Sequence, residues 1–183
     1  MDDQTESVFA RLVHDWNDHD QPDRATTTYA LADETLRDGL QSPSVTDPPI
    51  DDKLRLLHLM VRLGIPCADI GLPGAGQRQF DDALRLAREI ADQRLPIAVY
   101  CAARTLRQDI APIVEVSQRA GIPIEVACFI GSSPIRQYAE GWTLDQLRGL
   151  TADAVSFAVA HAMPVMYVTE DTTRSTPDAL RQL

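Results

Sequence analysis

Apolar residues along this chain fall into two alternating rhythms. Short, nearly continuous apolar segments lie at 28–37, 68–72, 97–103, 124–130 and 165–169, as expected for parallel strands covered by helices. Between them the apolar positions recur every three or four residues. Over 51–63 they are Leu54, Leu57 and Val61; over 79–92 they are Phe80, Ala83, Leu84, Ala87, Ile90 and Ala91. Over 106–120 they are Ile110, Ile113 and Val114, and over 143–162 Leu147, Ala154, Val155, Ala158 and Val159. That spacing predicts four helices, each with one apolar face. Two of them run into Gly-Ile-Pro, at 64–66 and 121–123. Glycine there takes the left-handed position past the last turn and proline prevents continuation. Asp51 and Thr143 are the expected N-caps.

Five strand–helix units in alternation imply a parallel sheet with right-handed crossovers. An open doubly wound sheet and a (β/α) barrel both fit, and the pattern alone does not choose. A complete eight-stranded barrel needs roughly 200–250 residues. The segment from 29 to 183 is shorter, so a barrel here is expected to be incomplete. Residues 1–28 read differently: Val8, Phe9, Leu12, Val13 and Trp16 precede a polar run from Asn17 to Arg24. They are expected to form a helical arm and a linker, docked on the barrel or on a partner subunit.

Charge narrows the partners. With 17 Lys+Arg against 27 Asp+Glu the net charge is −10, which argues against nucleic acid or an anionic membrane, since both need a basic patch. Lys53 is the one lysine. No apolar run approaches the ~18 residues of a membrane span, and Asp2, Asp3 and Glu6 are wrong for a targeting peptide. A cytoplasmic location is expected. Cys67, Cys101 and Cys128 are isolated and lie in or beside apolar segments, which reads as buried free thiols in a reducing compartment.

In either architecture the chemistry belongs at the C-terminal ends of the strands. The first strand runs into Arg37 and Asp38, followed by Gly39. A carboxylate there can hold a hard cation, and the neighbouring guanidinium can hold a carboxylate or enolate oxygen; a simple salt-bridged strand end is the plainer alternative. Asp69, inside the second strand, is costly to bury unless paired, and Arg37 is its expected partner. The third strand ends at Arg104, the fourth runs into Ser133 and Arg136, and the fifth ends at Thr169 and Glu170. The glycines from Gly71 to Gly76 match no phosphate-loop spacing and are read as a tight turn. His14, His19, His58 and His161 fall in the arm or on helices, away from strand ends.

The run DETLRDGLQSP over 33–43 resembles DTTLRDGEQSP, the signature of the DRE-TIM metallolyases (isopropylmalate synthase, homocitrate synthase and HMG-CoA lyase), at nine of its eleven positions. Downstream, ADIGLP resembles IEAGFP, FIGSSPIR resembles FIATSDIH, and TEDTTRS resembles the SPEDAGRTD region. ARTLRQDI resembles the third-strand segment with its arginine and following aspartate. The resemblance implies a (β/α)8 TIM barrel and an acyltransferase that condenses acetyl-CoA, as co-substrate, with a 2-oxo acid. It implies a divalent cation (Mg, Mn or Zn) held by Asp38, an oxyanion partner in Arg37, Gln41 near the substrate, and Glu170 approaching it. A homodimer is expected, because an unpaired barrel edge invites association. Cleavage of the HMG-CoA lyase kind, or an inactive barrel fragment serving as a binding module, are the alternatives.

The departures carry their own expectations. Asp69 stands where the family has Glu, so its contact with Arg37 is expected to shift or to pass through water. Leu40 replaces Glu, and Arg136 replaces the histidine of the synthases. The family's His-x-His metal pair does not occur in these residues, which predicts a fragment that binds metal poorly. Arg136, with Arg104, Ser133 and Thr169 around it, points to an acceptor carrying a second anionic group.

Overall fold

The computed structural model describes residues 29–183; the expected arm and linker over 1–28, with His14 and His19, lie outside them. Five strands, β1 (Ala32–Asp33), β2 (Cys67–Asp69), β3 (Ala98–Arg104), β4 (Glu125–Ile130) and β5 (Val165–Thr169), alternate with helices. The helices are α1 (Ile50–Arg62), α2 (Gln77–Gln93), α3 (Arg107–Ala120), α4 (Pro134–Glu140), α5 (Leu144–Ala160) and α6 (Pro177–Gln182).

All neighbouring strands are parallel, and their spatial order is their sequence order. Right-handed crossovers in one unbroken direction place the helices on one side of the sheet. A doubly wound sheet would reverse direction at a switch point. The arrangement is therefore a partial barrel, which decides between the two architectures left open by the pattern.

The faces of the strands divide cleanly. Ala68, Ile70, Val99, Cys101, Ala103, Val126 and Cys128 join the core with Leu57, Leu84, Ile90, Ile110, Ile113 and Ala154 of the helices. The alternate positions share the other face. There Asp69 lies beside Tyr100 and Tyr100 beside Glu125, and farther along Arg104 aligns with Phe129 and Phe129 with Val168.

The largest departure from the expected elements is the first strand. Only two residues of 28–37 pair with β2. The Asp33 carboxylate accepts the Thr35 N–H at 2.8 Å, an Asx turn that draws the backbone off the ladder. The Glu34 carbonyl then accepts from the N–H groups of Arg37 and Gly39 at 3.2 and 3.0 Å. Leu36 to Asp38 thus sit on a coil, not on a strand. Helix α4 was not among the expected elements either. Asp51 is not an N-cap: Pro49 holds that place without a side-chain bond, and Asp51 sits in the first turn, where its charge suits the helix dipole. Thr143 does cap α5, in a reciprocal capping box with Gln146. Gly64 and Gly121 hold left-handed φ of 75° and 73°, as their Gly-Ile-Pro runs demand.

Gly74 shows how tightly the β2–α2 loop is packed. A Cβ there would stand 2.8 Å from Asp109 Cα on α3, a backbone contact that cannot swing aside. Gly149 is exposed within α5, with nothing near its missing Cβ. Gly74→Ala is expected to lower stability by about 1–3 kcal/mol. Gly149→Ala is expected to raise it by up to about 1 kcal/mol. Urea unfolding of the two variants beside the parent reads both signs.

Candidate functional site

The coil after β1 hangs on one guanidinium. Arg37 donates from Nε to Asp69 Oδ2 at 3.1 Å and from Nη1 to Asp38 Oδ1 at 2.7 Å, and its Nη2 lies 3.5 Å from Glu34 Oε2. Each of its three nitrogens faces a carboxylate. The contact with Asp69 is direct, so the shorter acid neither shifts it out of reach nor routes it through water. Asp69 also accepts the Gly71 N–H at 2.9 Å, so both its oxygens are bonded. Glu34 in turn accepts the Tyr100 hydroxyl at 2.9 Å. Tyr100 and Asp69 are register partners on β3 and β2, so the coil reaches across two strands to close the network.

Burial sets the electrostatics. Asp69 has no solvent exposure. Desolvation pushes its carboxyl up to about 6, against the opposing pull of the Gly71 N–H and of Arg37. The Tyr100 hydroxyl is raised above its ordinary value, first by burial and then by donation to Glu34, so it stays a protonated donor. Arg37 is raised; desolvation lowers it, but the bond and charge of Asp69, with Asp38 and Glu34, outweigh that.

Asp38 differs from Asp69. Its side chain is 61% exposed and one oxygen is taken by Arg37, which leaves the other oxygen for a cation. No group of three His, Cys, Asp or Glu able to hold a metal occurs among the described residues. These residues do not by themselves make a divalent-cation site. Gln41 and Arg37 line one cavity of ≈240 Å³, closed on its far side by Leu86 and by Lys53. Lys53 is nearly buried between Asp47 and Asp82, at 2.7 and 2.6 Å, and so pins the 42–49 loop to α1 and α2.

The remaining expected residues divide between a second cavity and purely local work. Arg104, Arg136 and Glu170 line a cavity of ≈260 Å³ whose walls are Leu106, Phe129 and Trp142. Arg104 is held by Asp109 of α3 through two bonds of 2.6 and 2.9 Å, so its pose is fixed. Among the described residues, the one acid paired with Arg136 is Glu140, at 3.5 Å. It lies across Gly131, where a Cβ would overlap its Cγ. Glu170 is exposed, and its N–H bonds Ile130 O at 3.1 Å, which keeps it beside the end of β4. Ser133 does not line this cavity: its hydroxyl caps α4, accepting the Arg136 N–H at 3.2 Å, and the residue is fully buried. Thr169 aligns with Ile130, on the opposite face from Val168, and its hydroxyl meets Thr172 at 2.5 Å. Period-two alternation puts Thr169 away from the cavity that Glu170 reaches.

Sequence reasoning passed over four residues that hold this end together. Glu34 is one of the two mismatches in the signature run, which was the available signal. Tyr100 and Trp142 are large aromatics at positions that periodicity treats as ordinary packing. Asp171 clamps the β4 exit, accepting the N–H groups of Ser132 at 2.7 Å and Ser133 at 3.1 Å. Burial pushes its carboxyl up, but those bonds win and hold it below the usual carboxylate value. The three cysteines are free, with Cys101 and Cys128 buried and Cys67 partly so. No described helix is long and apolar enough to cross a membrane.

The model of the HMGL-like family matches residues 28–183. The chain is 29% identical over 151 residues to a 2-isopropylmalate synthase of Sulfolobus acidocaldarius, covering 82% of this chain and 37% of that one. It is 31% identical over 144 residues to the homocitrate synthase AksA of Methanopyrus kandleri, covering 78% and 34%. It is 33% identical over 150 residues to a 2-isopropylmalate synthase of Aquifex aeolicus, covering 79% and 27%. The chain thus spans about a third of the length of the curated relatives it matches.

Asp69 gives a pH prediction. Its folded value of about 6 lies above the ordinary 3.8. Between those values the folded chain holds a proton that the unfolded chain has released, so stability falls as pH rises through the window. Carbon-13 NMR of the Asp69 carboxyl is expected to show a midpoint near 6, and Asp69→Asn to flatten the slope of stability across it. A midpoint at the ordinary aspartate value contradicts this reading.

Proposed function

Since the chain belongs to the HMGL-like family, we propose that it carries one side of the active site of an acyltransferase condensing acetyl-CoA with a 2-oxo acid. The observation that carries the proposal is the Arg37 guanidinium, anchored at 3.1 Å on buried Asp69 beside a half-free Asp38. Three of its five N–H groups face carboxylates, which leaves two to meet an oxygen that gains charge.

The chemistry asks for such a group. A proton leaves the acetyl methyl, the resulting carbon attacks the ketone carbon of the acceptor, and the ketone oxygen takes up the electron pair as the C–C bond forms. Water then hydrolyses the thioester and free CoA departs. Arg37, held in advance by Asp69, steadies the oxygen that becomes negative, with no reorganisation at the moment of reaction. Asp38 would supply one carboxylate to a Mg, Mn or Zn ion, and that ion's other ligands are proposed to come from beyond these residues. Gln41 shares the Arg37 cavity and is suited to orient the acceptor. Glu170, which lines the second cavity, is proposed as the carboxylate that faces the reacting groups.

Arg104 and Arg136 bring two positive charges, against the one carboxylate of Glu170, to a cavity with largely apolar walls. This supports an acceptor with a second anionic group, a dicarboxylic 2-oxo acid or a phosphonate analogue, because a fixed guanidinium pairs a carboxylate or phosphonate in two-point fashion. The open outer edges of β1 and β5 among the described residues support association with another chain, such as a second copy. One observation favours a different reading: the lack of a three-ligand metal group among the described residues suits a non-catalytic binding module.

The test is CoA release by the full-length protein from acetyl-CoA, with 2-oxo acids of one or two acidic groups and added Mg²⁺ or Mn²⁺. Release that needs both substrates is expected, and Arg37→Lys should lower kcat by roughly 10²-fold or more. Arg136→Ala is expected to raise KM for the two-acid acceptors by roughly tenfold or more, about one lost charged contact, and to spare monocarboxylic ones. Gly131→Ala should do the same, since its Cβ displaces Arg136. Equal loss across all acceptors contradicts the role given to Arg136. No turnover, together with no saturable cation binding by calorimetry, selects the binding module.

A further inference from the structure

The Glu34–Tyr100 pair has no part in the mechanism just described, yet it closes the network around Arg37. We propose that Glu34, oriented by the Tyr100 hydroxyl, is a positioning residue for Arg37, sharing with Asp69 the work of fixing the guanidinium. Only the catalytic consequence of this rests on the function proposed above.

Geometry carries it. Asp69 meets Arg37 through Nε alone, at 3.1 Å, and Asp38 meets Nη1 at 2.7 Å from an exposed place on the same coil, so of these two only Asp69 ties the group to the sheet. Nη2, on the same edge of the guanidinium as Nε, has Glu34 Oε2 at 3.5 Å. Two carboxylates along that edge, both tied to the sheet, fix the plane of the guanidinium where one would not. Glu34 is 43% exposed and on its own would keep its rotamers and give little. Its other oxygen, Oε1, takes the hydroxyl of Tyr100 at 2.9 Å. Tyr100 is 4% exposed in the middle of β3, the most rigid kind of donor the fold offers. Because Asp69 and Tyr100 are register partners, both anchors stand side by side on one sheet face, and Arg37 with Glu34 bridges them. The groups facing Arg37 are Glu34, Asp38 and Asp69, and those facing Glu34 are Arg37 and Tyr100.

The signature run has a threonine at position 34 and the second strand a glutamate at 69. Here the second-strand acid is shorter by a methylene, and a new acid sits on the coil. Glu34 therefore adds a second acid beside one that meets Arg37 through a single nitrogen. Gln at 34 would keep the shape and lose the charge; Phe at 100 would keep the ring and lose the donor.

Nitrogen-15 relaxation and hydrogen exchange of the Arg37 Nε–H report the order of its guanidinium, in the full chain and without any activity. In Glu34→Gln and in Tyr100→Phe, exchange protection at Arg37 is expected to fall roughly two- to fivefold, the loss of one partly exposed charged contact. The Nε–H of Arg104, locked independently by Asp109, serves as the internal control and should not move. Glu34→Asp, which keeps the charge, should recover part of the protection. Unchanged protection at Arg37 overturns the proposal, as does an equal fall at Arg104, which would mean general loosening. Should Tyr100→Phe fail to fold, Glu34→Gln decides alone, since Glu34 is half exposed. If the parent condenses acetyl-CoA with a 2-oxo acid, both variants should lower kcat severalfold with KM little changed, and an unchanged kcat overturns the positioning role. If the parent shows no condensation, the proposed function falls, while the exchange measurement still decides this inference.

Discussion

A carboxylate with no exposure to water, Asp69, imposes the order at the mouth of this partial barrel. An aspartate so placed is tolerable only if its oxygens are bonded, and the partners are few: the Gly71 N–H and the Arg37 guanidinium. The first fixes the exit of β2. The second draws in the coil after β1, and with it Asp38, Gln41 and Glu34. Without the Arg37 contact that coil is tied to the sheet by a two-residue strand and the Glu34–Tyr100 bond alone. One ion pair therefore sets the geometry of most residues that the proposed chemistry would use. Removing Arg37 would leave the buried Asp69 charge uncompensated.

Two arginine clusters at the strand ends divide the labour. Around Arg37 the groups are acidic, three carboxylates against one guanidinium, an environment that suits a cation and a developing negative oxygen together. Around Arg136 the walls are apolar and the charged groups mainly basic. Each is served by a different strand end, and the parallel sheet brings those ends to one side. Supporting acids are built in at both: Asp109 holds Arg104 and Asp171 holds the Ser132–Ser133 turn.

Much of this was legible in the sequence where periodicity is unambiguous. Strand 165–169 has the limits expected of it, β3 and β4 lie within a residue or so of theirs, and the four long helices within two. The strand-end placement of Asp69, Arg104 and Glu170 followed from that alternation, and the Asp69–Arg37 pairing from the cost of a buried charge. What escaped has physical reasons. β1 was overextended because Asp33 offers the backbone a turn that competes with the ladder. Helix α4 is seven residues long, too short for periodicity, although Ser133 followed by Pro134 is a helix start. Thr169 was given a substrate role by proximity to Glu170 in sequence, when adjacent strand residues face opposite ways. Ser133 looked like a free hydroxyl and proved to be a cap. Glu34 and Tyr100 are 66 residues apart, and no local signal joins them.

The most direct test of the central claim is a crystal structure of the full-length protein with Mn²⁺ and a two-acid 2-oxo acid such as 2-oxoglutarate. The account predicts the cation on Asp38, the ketone oxygen within hydrogen-bond reach of Arg37 while Arg37 stays on Asp69, and the distal carboxylate against Arg136. A ligand bound elsewhere, or an Arg37 that leaves Asp69 to meet it, would contradict it.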